Sequence, residues 1–359
     1  MTDDLLGFVS SMGGERALRV EESLGEGYVR LRVAEAERRQ AKHDIRCVED
    51  AIIEMLRNAR DAGAHHIYVA TTREGDLRTT TILDDGVGIP QDMHERIFEA
   101  RVTSKLDSVH MDRWGIHGRG MALFSILENS VSAEVVSSAP GKGSSIRVVT
   151  NVSELPERAD QSSWPSVERN DEGALVCSRG PHNIIRTCCE FALEERGTCE
   201  VYFGSPAEMV ATARARVRSS VSASELLSLK TLEQLPVLER LHAAADAGEL
   251  CEQAASLGLE VSERTAHRIV AGQISPQKSV LSHLVQTEPN HVSQKGEVDL
   301  ARDRRSLRVS KDDLEDFSYA LEGAFQTLSE RYYFSLSADP RISIGRDKIT
   351  VTFDLRERD

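Results

Sequence analysis

The strongest periodic signal in the chain precedes residue 61. Ile45, Val48, Ile52, Leu56 and Ala59 recur every three or four positions and wind an apolar stripe along one helix face. The pattern predicts one long helix over 31–60, with Gly63 as its stop. At about 100° per residue, Glu54, Asn58 and Asp61 fall together on the opposite face. The period then changes. "HHIYVATT" (65–72) and "RTTTILDD" (78–85) are rich in β-branched residues and flank the turn "EGD", which predicts a hairpin. "DGVGIP" reads as a loop, followed by a helix at about 91–100 and an irregular stretch over 101–117. "GRGMALFSILENS" opens a helix behind glycines, and "SAEVVSSA" and "GSSIRVVTNV" are two more strands joined by "PGKG".

Residues 151–172 are polar, contain two prolines and read as a linker or exposed loop. Beyond them, "GALVCS", "NIIRTCCEFALEE", "TCEVYFGS" and "AEMVATARARV" predict strand, helix, strand and helix. Residues 222–285 read as helical throughout. A helix at about 311–330 precedes a β-rich end, "RYYFSLS", "RISIG" and "KITVTFDL". The expected fold is an α/β two-layer sandwich, followed by an α+β region and a mainly helical C-terminal region. The expected division is an N-terminal arm (1–30), a first domain (31–150), an α/β module (173–220), a helical region (221–300) and an α+β end (301–359).

The whole-chain properties narrow the classes. With 359 residues and 40% hydrophobic content, there is enough apolar material for a core and enough length for two or three domains. No apolar run approaches the roughly 20 residues that span a bilayer, and the N-terminus lacks the pattern of a secretory signal. A cytoplasmic protein without membrane contact is expected. A net charge of −14 argues against bulk electrostatic binding to nucleic acid. The six cysteines form no CxxC and read as reduced thiols. His182, Cys188, Cys189 and Cys199 cluster in sequence, but their spacing fits no standard zinc site.

Asn58 is the odd residue in the first helix, because an amide side chain competes for backbone groups there. It belongs to an ordered set. Glu54-x-x-x-Asn58 lies on a helix, and "DDGVG" follows a strand, with Asp84, Gly86 and Gly88. "TSK" holds Lys105. "GIHGRGMA" opens a helix, with Gly115, Gly118, Arg119 and Gly120. "GSSIRV" opens a strand with Ser144. Each part suits a nucleotide site. A glycine-rich turn before a helix offers backbone N–H groups to an anion. An Asn oxygen is a hard ligand suited to Mg²⁺ beside substrate phosphates. A carboxylate one turn away can take a proton from attacking water. An Asp at a strand end can accept from the adenine amino group.

These motifs resemble those of the GHKL ATPases, the superfamily of gyrase, the large heat-shock chaperone, histidine kinases and MutL. "EMLRNARDAGA" resembles the N-box in its MutL form, and "DDGVGI" resembles the adenine-binding box. "ARVTSKLDS" is similar to a MutL segment, and "GIHGRGMA" is close to the gyrase lid motif. "GSSIRV" resembles the last box, with Ser144 for Thr. The resemblance covers about residues 45–150. It implies a Bergerat fold binding ATP with Mg²⁺ on Asn58, and contacts from Asp84, Gly86, Gly88, Lys105, Gly115, Gly118, Arg119, Gly120 and Ser144. It further implies a general base at Glu54, an ATPase cycle that switches the lid at 101–120, and a nucleotide-dependent homodimer. Relatives also use a lysine from a following domain. Lys278 is a weak match, and His117 reads as a packing residue of the lid.

Other functions compete. A histidine kinase needs a phosphoacceptor well upstream, and His43 lies only eleven residues before Glu54. An ATP-gated DNA-binding regulator would use 250–272, "LCEQAASLGLEVSERTAHRIVAG", which resembles a helix-turn-helix with an overlong turn. Basic spots at Arg214, Arg216 and Arg218, and at Arg302, Arg304 and Arg305, read mainly as solvated faces. In a chaperone-like role, ATP would close a dimer around a client. Any DNA or protein partner is expected to engage residues 173–359.

Overall fold

The computed structural model describes residues 20–286 except 34, 42, 105–109, 113–114, 118–119, 159, 171–172, 223–225 and 227. It also describes 321, 325, 334–336, 341–344, 349–353 and 355–357. Residues 1–290 and 291–359 form separate compact units.

The first unit is built on a five-stranded sheet of order β12-β3-β4-β9-β8. Its strands are β3 (His66–Glu74), β4 (Leu77–Asp84), β8 (Ser132–Ser138), β9 (Ser144–Asn151) and β12 (Glu200–Gly204). β3 and β4 form the expected hairpin, and β4–β9 and β8–β9 are also antiparallel. β12, from the segment expected at 173–220, adds to the β3 edge in parallel.

Alternation along the strands sends side chains to opposite faces. Ile67, Val69, Ile82, Ile146 and Val148 lie in a core shared with α2 (Val48–Asp61) and α4 (Ile184–Glu194). Tyr68, Ala70 and Leu83 belong to a second core with α5 (Pro206–Arg216), α6 (Val237–Ala243), α7 (Ala247–Ser256) and α8 (Glu263–Val270). The expected two-layer core is therefore present, and residues 206–270 add a third layer on its other face. Side chains of the sheet bond to that layer. Ser145 Oγ donates to Leu257 O at 2.7 Å, and Thr81 Oγ1 to Gly258 O at 3.0 Å.

The long helix expected over 31–60 is two helices, α1 (Glu35–Ala41) and α2. Tight turns close after α1, where His43 N donates to Gln40 O and Asp44 N to Ala41 O. Cys47 is the extended N-cap residue, at φ −154°, and Asp50 Oδ2 accepts from Arg46 N at 3.0 Å, tying the turn to the first turn of α2. Ile45 is buried within this turn, so the apolar period runs on where the helix does not. His43 sits in the turn rather than on the helix carrying Glu54. Within residues expected as an arm, β1 (Val20–Gly25) pairs with β2 (Tyr28–Leu31), which pairs in turn with β5 (Val102–Thr103).

Three further differences concern loops. The helix expected at 91–100 is two single 3-10 turns, Gln91–Met93 and Arg96–Phe98. Part of the stretch read as irregular over 101–117 is strand: besides β5, β6 (His110–Asp112) pairs with β7 (Gly115–His117). The polar stretch 151–172 is no free linker. Leu155 is buried, Glu157 pairs with Arg78 at 2.6 Å, and Arg158 pairs with Asp50. Buried Glu49 accepts from Arg158 N and from Gln161 Nε2, so this strap is fastened to the start of α2. It leads into β10 (Ser166–Arg169) and β11 (Leu175–Arg179), an antiparallel pair.

In the second unit, β13 (Phe334–Leu336) pairs with β16 (Leu355–Glu357), and β14 (Arg341–Ile344) with β15 (Ile349–Thr352). Most of the helix expected at 311–330, and Arg302, Arg304 and Arg305, lie outside the described residues.

Candidate functional site

A cavity of about 860 Å³ opens between α2, the end of β4, the start of β9 and residues 101–104 and 120–123. Helix α2 is buried on both sides. Only Asp50, Glu54, Asn58, Arg60 and Asp61 are half-exposed among 48–61, and all of these except Arg60 line the cavity. The i, i+4 spacing that aligned Glu54 and Asn58 in sequence also aligns Asp50 one turn earlier.

Asp84 ends β4 and is 4% exposed. Its Oδ1 accepts from Gly86 N at 2.8 Å and its Oδ2 from Ser144 Oγ at 2.5 Å. Burial pushes the carboxyl up to about 6, against the lowering effect of those donors. Its neighbour Asp85 does something else. Burial raises the Asp85 carboxyl, but the His66 ring and the amides of His65 and His66 outweigh it and hold it below the ordinary value. Asp85 thus locks the β3–β4 strand ends, while Asp84 lines the cavity.

The loop after Asp84 is fixed by close backbone approach. Gly88 has φ +74°, and a Cβ there would sit 2.0 Å from Ala139 O. Val87 O accepts from Gly141 N, and Ile89 N donates to Ser138 Oγ. A Cβ on Gly86 would meet Ala62 O at 2.8 Å.

At the mouth, Arg101 N donates to Gly120 O at 2.7 Å. Arg101 is 6% exposed and holds φ +64°, an uncommon conformation for a residue with a side chain. Gly120, Met121 and Ala122 line the cavity ahead of α3 (Ala122–Glu128). Gly115 lies in β7, apart from the lining residues. Lys105, Gly118 and Arg119 lie outside the described residues, as does the His117 side chain. Glu54, Asn58, Asp84, Gly88, Gly120 and Ser144 are brought together around one cavity.

The sequence reading missed the cavity's arginines. Arg57 binds Glu54, Nη1 to Oε1, at 2.5 Å with its side chain 4% exposed. Arg101 and Arg158 also line the cavity. Arg57 lies one turn after Glu54 and close to its polar face, so helical spacing did not signal its burial; nothing local signalled Arg158 either, which arrives on the strap. Asp61 pairs with Arg60 at 2.9 Å, and Arg60 bridges to Glu195 at 2.6 Å.

Several residues of the segments expected to meet other partners pack within the fold. α7 and α8 bury Leu250, Ala254, Ala266 and Ile269, and Ser262 caps α8 at Thr265 N. Arg214 donates to Ala244 O, and Arg216 lies over the Tyr202 ring. Lys278 is exposed. Cys188 and Cys189 are fully buried in the core beneath α4. No helix of the described residues is long and apolar enough to cross a membrane.

Comparison with known proteins agrees with this geometry. Residues 43–154 match the family described as histidine kinase-, DNA gyrase B-, and HSP90-like ATPase. No curated protein matches the chain. Among solved structures, full-length ShkA in complex with AMPPNP aligns at 16% identity over 56% of this chain and 44% of that one, with a TM-score of 0.22. The alignment spans less than half of that protein, and at that score it bears on nothing further. The matched span contains Glu54, Asn58, Asp84, Gly120 and Ser144, all of which line the cavity: residues 43–154 resemble the histidine kinase-, DNA gyrase B-, and HSP90-like ATPases.

Proposed function

We propose that the chain binds ATP with Mg²⁺ in this cavity and hydrolyses it slowly to ADP and phosphate. The observation carrying this reading is the alignment of Glu54 and Asn58 on one half-open line of a buried helix, in the cavity that Asp84 also lines. In this reading Asp84, with Ser144, accepts from the adenine amino group. Gly86 and Gly88 keep the chain close to the base. The backbone at Gly120 faces the phosphates, joined by Gly115, Gly118, Arg119 and Lys105.

Asn58 suits a hard cation. Its amide is half-buried at the cavity wall, and Nδ2 is buried with no hydrogen-bond partner among the described residues. An unpaired buried amide costs stability unless a ligand meets it. The Asn58 side-chain oxygen would hold the ion, which supplies charge neutralisation at the phosphates. Glu54 takes the proton from water.

Nucleotide then orders residues 101–120 and changes how residues 173–359 engage a partner, with a homodimer as one product of that change. Phosphate release from Mg-ATP by wild type and Glu54→Ala tests the reading. Turnover in the first alone supports it. ATP bound without turnover in either favours a nucleotide-gated regulator instead, and the exposed Arg264, His267 and Arg268 of α8 become the surface to probe with DNA at varied salt.

A further inference from the structure

We propose that Arg57 is the positioning residue for Glu54, setting the direction of its carboxylate for proton abstraction; this rests on the hydrolytic reading above. Arg57 is three residues beyond Glu54 on α2 and its side chain is 4% exposed, against 20% for Glu54. A guanidinium cannot shed its proton, so at that depth it needs an anionic partner. Glu54 Oε1 is such a partner at 2.5 Å. Both residues line the cavity, and both stand on one helix, one turn apart.

A glutamate on a helix has several rotamers of similar energy, and most would aim its carboxylate away from one chosen water. Pairing with a buried cation removes that freedom in advance. Arginine suits the task because its planar fork holds direction as well as charge, which a lysine does not. The guanidinium acts through Glu54. Its removal is therefore expected to slow chemistry and leave nucleotide affinity in place.

The test uses the full chain as wild type, Arg57→Gln, Arg57→Lys, Glu54→Gln and the double variant Glu54→Gln/Arg57→Gln. The measurements are kcat and KM for Mg-ATP, single-turnover rates, and Kd for a non-hydrolysable ATP analogue. Arg57→Gln is expected to lower kcat by about 10- to 100-fold, the usual effect of losing the partner that orients a working ligand. Analogue Kd stays within about twofold. Arg57→Lys recovers part of the rate. In the Glu54→Gln background, Arg57→Gln causes no further loss.

A weakened analogue Kd with kcat kept overturns the proposal in favour of a direct phosphate contact. Equal losses in both backgrounds overturn it in favour of a packing role. If Arg57→Gln does not fold, Arg57→Lys decides: a reduced kcat supports the proposal and an unchanged kcat overturns it. Wild type that binds nucleotide without turnover overturns the hydrolytic reading and this one together. Wild-type turnover that Arg57→Gln leaves unchanged overturns this one alone.

Discussion

Ser144 Oγ donates to Asp84 Oδ2 at 2.5 Å, across the β4–β9 ladder in which the same two residues are partners. Sixty residues of chain separate them. The sheet therefore places a hydroxyl against a buried carboxylate at the cavity wall, and strand register alone maintains the pairing. A one-residue slip would turn one of the two to the opposite face.

That buried carboxylate gives the protein a pH-dependent stability. Asp84 is raised from 3.8 to about 6, so between those values the native state holds a proton that the unfolded chain has lost. Its favourable contribution is complete below about pH 4 and is lost as pH rises through 6. Asp84→Asn carries no charge, so its stability relative to wild type is expected to grow over that window, on the order of 2–3 kcal/mol. Urea midpoints of both proteins at pH 4.5 and 7.5 measure it, and a constant difference refutes it. ATP affinity should move the other way, weakening below about pH 6 as the acceptor is protonated.

Asn58→Ala should separate stability from binding. Alanine is the better helix former by about 0.7 kcal/mol, and the substitution removes a buried Nδ2 with no partner. The variant is expected to be as stable as wild type or slightly more so. It should lose most of the gain in ATP affinity that Mg²⁺ confers over EDTA. Thermal unfolding and calorimetric titration with and without the ion check both halves.

Two glycines with similar φ should respond differently to alanine. At Gly88 (φ +74°) the new Cβ meets Ala139 O at 2.0 Å, whereas at Gly75 (φ +59°) nothing lies within 4 Å. Gly75→Ala should cost about 1 kcal/mol, from backbone strain alone. Gly88→Ala has to displace the turn behind the loop. It is expected to cost more than about 2 kcal/mol and to abolish ATP binding. Denaturant titration of both variants gives the comparison.

A fragment spanning 43–154 should not fold alone. It would expose Tyr68, Ala70 and Leu83, which the helical layer now covers, and would lose α4 from the opposite core. Each large apolar side chain uncovered forfeits about 1.5–3 kcal/mol. Residues 20–286 are expected to give a cooperative thermal transition and a monodisperse elution profile, and 43–154 neither. A folded, soluble 43–154 fragment would show that the third layer is dispensable.

Local features were legible where a short stretch imposes its own geometry. The β3–β4 hairpin needed only β-branched runs around a turn. The loop glycines announced themselves because any side chain at Gly88 collides with backbone. Glu54 and Asn58 could be aligned because helical spacing maps one onto the other. The break between α1 and α2 was not legible. Ile45 is as apolar and as buried in a turn as it would be in a helix, and periodicity records burial without recording what does the burying. The strap at 151–165 was misread for the complementary reason: its polar residues find buried partners in Arg78 and Glu49, and polarity alone looks like exposure.

The sequence by itself determined the order and local shape of the nucleotide-site motifs, because turn geometry, helix phase and backbone clearance act over a few residues. Only the tertiary structure decided that the sheet is coated on both faces. A strand buried twice and a strand buried once differ in partners rather than in composition. It decided likewise that Arg158 reaches the cavity from beyond the last strand of the motif region. It also decided that Arg57 is buried and paired with Glu54, since an arginine at that helical position is solvated or internal according to what packs above it.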